Sequence, residues 1–251
     1  MNLTIDIGNT NVMICIFKNN QIIKHEKVNV INLSKNNQYN FFKKLFKKYT
    51  ILNILISSVV PRISEDFFEI FNTLKVDFFQ IKNLLEICKL KTNIKNKNSI
   101  GDDRLINIIY AKHVYIKSKV IIDFGTATTI DVLDEKGVYD GGVITPGIDL
   151  SLKSLQMGTA KLPLVNFKKT KSIIGKSTKE AIQSGFFWGY VSMIQGLIQK
   201  IQIEKKTEFQ IILTGGNAKY FKGCFENVIK NDEYFNSKGL NYLTNTYFKK
   251  S

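Results

Sequence analysis

Two stretches of the chain put a carboxylate at the end of an apolar run and follow it at once with glycine and hydroxyl residues. They are Asp6-Ile7-Gly8-Asn9-Thr10-Asn11 and Asp123-Phe124-Gly125-Thr126-Ala127-Thr128-Thr129. A carboxylate at such a position does nothing for packing. Glycine lets the backbone turn tightly or approach a ligand, and the short polar residues offer hydroxyl and amide donors. A turn of this kind can cradle phosphate while the carboxylate holds Mg2+ directly or through water. Taken alone, the first is also readable as a plain β-hairpin whose Asn-rich turn needs no ligand. Two copies in the same order, able to grip a polyphosphate from both sides, favour phosphate binding. Electrostatic positioning is most of what phosphoryl transfer asks of a protein. Thr214-Gly215-Gly216-Asn217 closes a third apolar stretch and suits close approach by a flat nucleoside, although ordinary connections share that composition.

Asp102-Asp103-Arg104 lies between a polar loop and an apolar-periodic segment. Acidic residues at a helix N-terminus meet unsatisfied amides, so capping is one account. The other is chemical. Arg104 is one of two arginines, with Arg62, among 36 basic residues, and its fork suits a substrate carboxylate. Asp103 beside it could accept a proton from a substrate hydroxyl. Neither GxxxxGK[ST] nor GxGxxG occurs, so a P-loop and a dinucleotide fingerprint are not supported.

The elements that must hold these residues read as α/β. Leu3–Ile7, Val12–Phe17 and Gln21–Lys27 form a three-stranded meander. Tyr39–Tyr49 has helical spacing, 51–60 reads as a buried strand, 65–74 as a short helix and 78–81 as a strand. A polar loop over 91–100 precedes a helix that begins at the Asp102-Asp103-Arg104 block. Val120–Phe124, Ile130–Leu133 and Val138–Ile144 then repeat the opening meander, with Asp123 matching Asp6. Helices follow from Asp149 and from Thr178, the latter with Ile182, Phe186, Tyr190, Ile194 and Leu197 or Ile198 along one face. A strand over 209–213 and a final helix or two complete the chain. The duplication implies two related lobes, residues 1–114 and 115–251, with a nucleotide cleft between them.

Composition narrows the classes. The 251 residues are 44% hydrophobic with 18 Phe and 10 Tyr, enough for a real core and too apolar for disorder. Cys15, Cys88 and Cys224 form no CxxC pair, and His25 and His113 are the only histidines. A disulfide scaffold and zinc sites are therefore poor readings. No apolar run is long enough for a membrane span, and the start MNLTIDIGNTN has no secretory pattern. Both favour a cytoplasmic protein. The net charge of +15 is almost all lysine, in a chain rich in residues that AT-biased codons supply. It attracts anions without naming one and is the sole hint of nucleic-acid binding. Clustering of the basic residues on one face would support that reading, and scatter would oppose it.

The ordered blocks DIGNTN (6–11), GDDR (101–104), DFGTATTID (123–131), GGVITPG (141–147), GTAKLP (158–163), GKST (175–178) and TGG (214–216) resemble type III pantothenate kinases, of the acetate/sugar kinase, Hsp70 and actin superfamily. The resemblance implies two actin-like (ribonuclease H-like) lobes and transfer of the γ-phosphoryl group of ATP to the 4′-hydroxyl of pantothenate, the first step towards coenzyme A. By motif match, Asp6, Ile7, Gly8, Asn9, Thr10, Asn11, Val12 and Met13 would bind ATP phosphates, with Asp6 helping to place Mg2+. Thr126 would contact ATP. Asp103 would be the catalytic base, and Gly101, Asp102, Asp103 and Arg104 would line the pantothenate site. Asp123 would hold a monovalent cation, potassium or ammonium. Thr178 would contact pantothenate across a homodimer interface. Neither nucleic acid nor membrane is an implied partner. Two departures stand out. Asp102 replaces the small residue the family most often has, and the stretch 96–99 lacks the usual Asn-Pro pair and is one residue shorter. A non-catalytic, nucleotide-binding relative of the same fold remains the alternative, separable by testing for phosphopantothenate.

Overall fold

The computed structural model describes residues 1–81 and 84–248. Along the chain run β1 (Asn2–Ile7), β2 (Asn11–Lys18), β3 (Gln21–Asn29), α1 (Lys35–Lys48), β4 (Asn53–Ser58), α2 (Pro61–Thr73), β5 (Phe79–Gln80), α3 (Leu84–Ile87) and α4 (Asp102–Val114). Then come β6 (Lys119–Phe124), β7 (Ala127–Leu133), β8 (Tyr139–Pro146), α5 (Ile148–Met157), α6 (Thr178–Lys205), β9 (Gln210–Thr214), β10 (Val228–Asn231) and α7 (Phe235–Tyr247).

These elements gather into two compact units. One contains residues 1–91, 95–114 and 235–251, the other 92–94 and 115–234. The sequence places all of 115–251 in a C-terminal lobe; in the structure the last segment, with α7, returns to the first unit.

In the first unit the strand order is β3-β2-β1-β4-β5, antiparallel through the meander and parallel from β1 to β4 and β4 to β5. Successive residues of a strand face opposite sides, and β1 uses both. Leu3, Ile5 and Ile7 face a core completed by Phe42 of α1 and by Phe67 and Phe71 of α2. Phe42 meets Phe71 edge-on at 4.9 Å, a favourable aromatic geometry. Asn2, Thr4 and Asp6 face the other way, where Asn2 Nδ2 donates to Asn241 Oδ1 of α7 at 2.9 Å.

The second unit repeats that plan. Its strands are ordered β8-β7-β6-β9-β10 with the same sequence of antiparallel and parallel pairings. Val120, Ile122, Phe124, Ile130 and Val132 pack against Phe187, Val191, Ile194 and Ile198 of α6. The buried stripe of α6 is thus rotated from the expected one. Ile182, Ile194 and Ile198 hold their places, while Phe187 and Val191 are buried and Phe186 and Tyr190 are only partly covered. A helix apolar on most of its circumference does not announce which face is innermost.

Candidate active site

In the first unit, parallel register sets Asp6 of β1 beside Ser57 of β4, and antiparallel register sets it opposite Met13 of β2. The turn that follows is tied at three points. Gly8 N–H donates to the Asn11 carbonyl (3.0 Å), Val30 N–H to that of Thr10 (2.9 Å) and Val59 N–H to that of Ile7 (3.0 Å). Asn9 and Thr10 are exposed, and Gly8, Asn11 and Met13 are half-buried while Val12 is buried. The backbone is held and the polar tips face water, as a ligand-binding turn requires. Ser57 is buried, and its hydroxyl has no protein partner. A buried hydroxyl left unmatched next to a carboxylate is a feature that calls for a water or ion.

The same unit holds the Gly101–Arg104 block. Gly101 precedes α4, and Asp102, Asp103 and Arg104 occupy its first turn, all half-buried. Arg104 N–H donates to Asp103 Oδ1 at 2.8 Å. That bond matches one of the amides a helix N-terminus leaves open, so the capping account holds for one carboxylate oxygen. It engages Oδ1 alone. The side chain folds back over residue 101, where a Cβ would stand 2.6 Å from Asp103 Oδ1 and would push that carboxylate aside. Burial first, and then the neighbouring charge of Asp103, raise the Asp102 carboxyl above its ordinary value.

In the second unit, Asp123 of β6 lies opposite Thr129 of β7 and beside Thr214 of β9. Gly125 N–H donates to the Ala127 carbonyl (3.1 Å), Gly147 N–H to that of Thr126 (3.0 Å) and Asn217 N–H to that of Phe124 (3.3 Å). Two glycines close on this turn. A Cβ at Gly147 would lie 2.2 Å from the Thr126 carbonyl oxygen, and one at Gly215 would lie 2.3 Å from Asp123 Oδ1. Gly215 also has φ +88°, in the left-handed region that favours glycine. Thr126 itself is exposed. Asn217 Nδ2 donates to Asp149 Oδ2 at 3.1 Å, in the first turn of α5. Deeper in the sheet, buried Asp131 accepts from Tyr139 Oη at 2.7 Å.

Thr178 is the first residue of α6 and is exposed. Ser177 caps the helix by accepting from Glu180 N–H, and Glu180 Oε2 accepts from Lys176 N–H at 2.8 Å. This is close to a reciprocal capping box, and it holds Thr178 on a rigid corner. Cys15 is buried, and burial pushes its thiol up to about 11, which disfavours the nucleophilic thiolate.

The structure therefore brings Asp6, Ile7, Gly8, Asn9, Thr10, Asn11, Val12 and Met13 into one turn, and Gly101 through Arg104 into another, within the first unit. Asp123 and Thr126 share a turn in the second. Sequence reasoning missed Ser57 and Thr214 as matched hydroxyls flanking the two carboxylates. Extending the duplication one strand further, from LIS at 55–57 to ILT at 212–214, would have found them. Among the described residues no three His, Cys, Asp or Glu side chains cluster as a metal cage. The donor set fits a phosphate-bound magnesium all the same, since that ion keeps several waters and takes one or two carboxylates. Asp123 with the carbonyls of its turn is likewise an oxygen set of the kind a monovalent cation takes. Among the described residues no helix is long and apolar enough to cross a membrane.

The sequence profile described as Type III pantothenate kinase matches residues 2–200. A type III pantothenate kinase from Listeria innocua is 34% identical over 253 aligned positions, covering 97% of this chain and 96% of the relative. A solved Campylobacter jejuni structure, assigned to the Baf family of transcriptional activators, is similar with a TM-score of 0.62 at 20% identity over 97% of each chain. A Sinorhizobium meliloti structure assigned as a 2-dehydro-3-deoxygalactonokinase reaches 0.58 at 10% identity, over 98% of this chain and 99% of the other. At those identities the two structures speak for the fold alone, the actin-like type with two mixed five-stranded sheets. With a profile match over most of its length and a full-length relative at this identity, the chain belongs to the type III pantothenate kinase family.

Proposed function

We propose that this protein transfers the γ-phosphoryl group of ATP to the 4′-hydroxyl of pantothenate, giving 4′-phosphopantothenate at the entry to coenzyme A synthesis. The observation that carries the reading is the match to type III pantothenate kinases across nearly the whole chain. The local geometry is compatible with it, residue by residue. The tied turn after Asp6 binds ATP phosphates through residues 6–13, and exposed Thr126 contacts the nucleotide. Asp6 would help to hold magnesium, whose charge would offset that of the phosphates. Arg104 and its neighbours Gly101 and Asp102 receive pantothenate, the guanidinium pairing with its carboxylate. Asp103 takes the hydroxyl proton through the oxygen not engaged by the Arg104 amide. Asp123 would hold potassium or ammonium, whose charge would offset that of its carboxylate.

The working form is a homodimer, in which Thr178 of the partner subunit completes the pantothenate site, and it acts in the cytoplasm. Exposed Ile173 and Ile174, two-thirds accessible each and just before the Thr178 corner, support a covered face there. Light scattering at micromolar protein should give twice the chain mass, and an active monomer would refute this part.

The test of the reaction is incubation with ATP, Mg2+, potassium and pantothenate, followed by mass analysis. A product heavier by one phosphoryl group, at the hydroxyl end, is expected. ATP consumption with pantothenate left unchanged would overturn the assignment.

A further inference from the structure

We infer that Asn236, on the C-terminal helix α7, is a positioning residue for the base. It holds the backbone of Asp103 and refers it to β1, the strand that carries Asp6. The inference rests on the reading of Asp103 as the base, and it concerns a helix beyond the 2–200 span that the family profile matches.

The contact is direct. Asn236 Nδ2 donates to the Asp103 carbonyl at 3.0 Å, joining residues 133 positions apart. It begins a seam along two helices. One turn on, Gly239 lies so close to α4 that a Cβ would stand 2.7 Å from Ile106 Cγ2 and 3.2 Å from the Ile106 carbonyl. Further along, Tyr242 lies against Tyr110 (6.1 Å) and His113 (4.9 Å). Residues 236, 239 and 242 share one face of α7, as residues 103, 106, 110 and 113 share one face of α4.

The far side of α7 is pinned to the sheet. Asn241 Oδ1 and Asn245 Oδ1 accept from Asn2 Nδ2 at 2.9 and 2.8 Å. Asn241 Nδ2 donates to the Asn19 carbonyl at 3.0 Å, and Asn53 Nδ2 donates to Asn2 Oδ1 at 3.1 Å. A continuous run of bonded groups thus links β1, which carries Asp6, through α7 to the turn that carries Asp103.

Stability alone does not explain an asparagine at 236. Its Oδ1 is buried and has no protein partner, and an unmatched buried acceptor is destabilising. A leucine of similar size would avoid that cost and still fill the seam. What leucine cannot supply is the donor to Asp103.

The experiment compares Asn236→Leu, Asn236→Gln and Asn245→Ala in the full-length protein. Small misplacements of a reacting group can cost on the order of 10²-fold in rate. Asn236→Leu should therefore lose roughly 10–10²-fold in kcat, with the KM for ATP unchanged and thermal stability kept or raised. Asn236→Gln, which restores an amide donor, should recover part of the loss. Asn245→Ala loosens α7 at its far end and should lower stability while leaving kcat within about twofold, if positioning acts through residue 236. Wild-type kcat in Asn236→Leu, or an equal kcat loss in Asn245→Ala, would overturn the inference. Should leucine prevent folding, Asn236→Asp, with the same volume and no neutral amide donor, decides in its place by the same criteria. Amide exchange over residues 101–106 separates this from failure of the pantothenate reading. Faster exchange there in the 236 variants supports the clamp even if another hydroxyl proves to be the acceptor, and unchanged exchange refutes it.

Discussion

The Asp6 turn and the Asp123 turn are built on one plan and finished differently. Each ends the central strand of a five-stranded sheet, each carboxylate has a strand partner with a buried hydroxyl beside it, Ser57 or Thr214, and each glycine amide closes its own turn. The first turn is one residue longer and leaves Asn9 and Thr10 in water. The second is walled by Gly147 and Gly215, whose backbones approach to distances no Cβ permits. The first unit also carries the Asp102–Asp103 pair on α4 and fixes it with α7. Duplication supplied the scaffold, and a handful of glycines and carboxylates divided the labour. The first unit adds a pair of carboxylates at a helix N-terminus, and the second a carboxylate turn packed tightly by glycine backbone.

The largest effect should come from the carboxylate with no counterpart in the second unit. Asp103→Asn keeps size and helix-terminal hydrogen bonding and removes the proposed base. It should lower kcat by roughly 10²–10⁴-fold, the usual worth of general acid–base catalysis, with ATP binding retained. Steady-state kinetics with calorimetric ATP titration checks both. Near-normal turnover would mean that capping is all Asp103 does, and the contrast between the units would lose its chemical side.

Next in size is a pair of alanines that weighs the two turns against each other. Gly147→Ala drives a Cβ against a carbonyl oxygen that cannot swing away. Overpacking of this kind costs about 1–3 kcal/mol, and the backbone position of the clash puts it at the upper end. Gly8→Ala brings a Cβ within 3.2 Å of the Asn11 carbonyl, a contact that a small backbone shift relieves, so less than about 1 kcal/mol is expected. Urea unfolding of both variants gives the comparison. Equal losses would show that the two turns are equally tight, against the distances.

Replacing potassium by sodium should lower turnover several-fold in the wild type and have little effect once Asp123→Asn has removed the carboxylate. Equal rates in the two salts would detach Asp123 from the cation. The expectation rests on a carboxylate whose neighbours are backbone oxygens and threonines, which is a donor set for a hard, weakly held ion.

How far the sequence revealed this arrangement depends on what kind of signal each part leaves. The two meanders were legible because alternating apolar residues and Gly/Asn turns carry their own period. The strand β10 was missed. Its four residues are mostly exposed and pair only with β9, through a register shift, so no alternation marks it. The role of α7 was missed for a related reason. It buries Ser237, Gly239, Asn241 and Thr244 alongside its apolar residues, and hydrophobic periodicity does not register packing done by small and amide side chains. The glycine wall was visible only as the strings GGVITPG and TGG, since nothing in one dimension says which carbonyl a glycine will face.

The smallest effect tests the crowding of charge that distinguishes the first unit. Asp102 stands next to Asp103 on α4, and its carboxyl lies above the ordinary 3.8, first because it is half-buried and then because Asp103 is negative. A carboxyl that holds its proton more tightly folded than unfolded is at no disadvantage in acid. The folded state loses stability as pH rises from the unfolded value through the folded one, and the penalty is complete above that. Asp102→Asn deletes this loss. Against it works the favourable interaction of a negative charge with a helix N-terminus, about 0.3–1 kcal/mol at exposed sites, which the same substitution removes over the same pH range. Burial and the adjacent Asp103 charge both act against the ionised form, and at a half-buried site we expect them to outweigh that attraction. The unfolding free energy of Asp102→Asn relative to wild type should therefore rise between about pH 3.5 and pH 7, by less than about 1 kcal/mol given the solvent still around the group. Chemical denaturation at the two pH values measures it. A relative stability that falls instead would mean that the helix terminus welcomes both charges, and the pair would then be an ordinary acidic first turn.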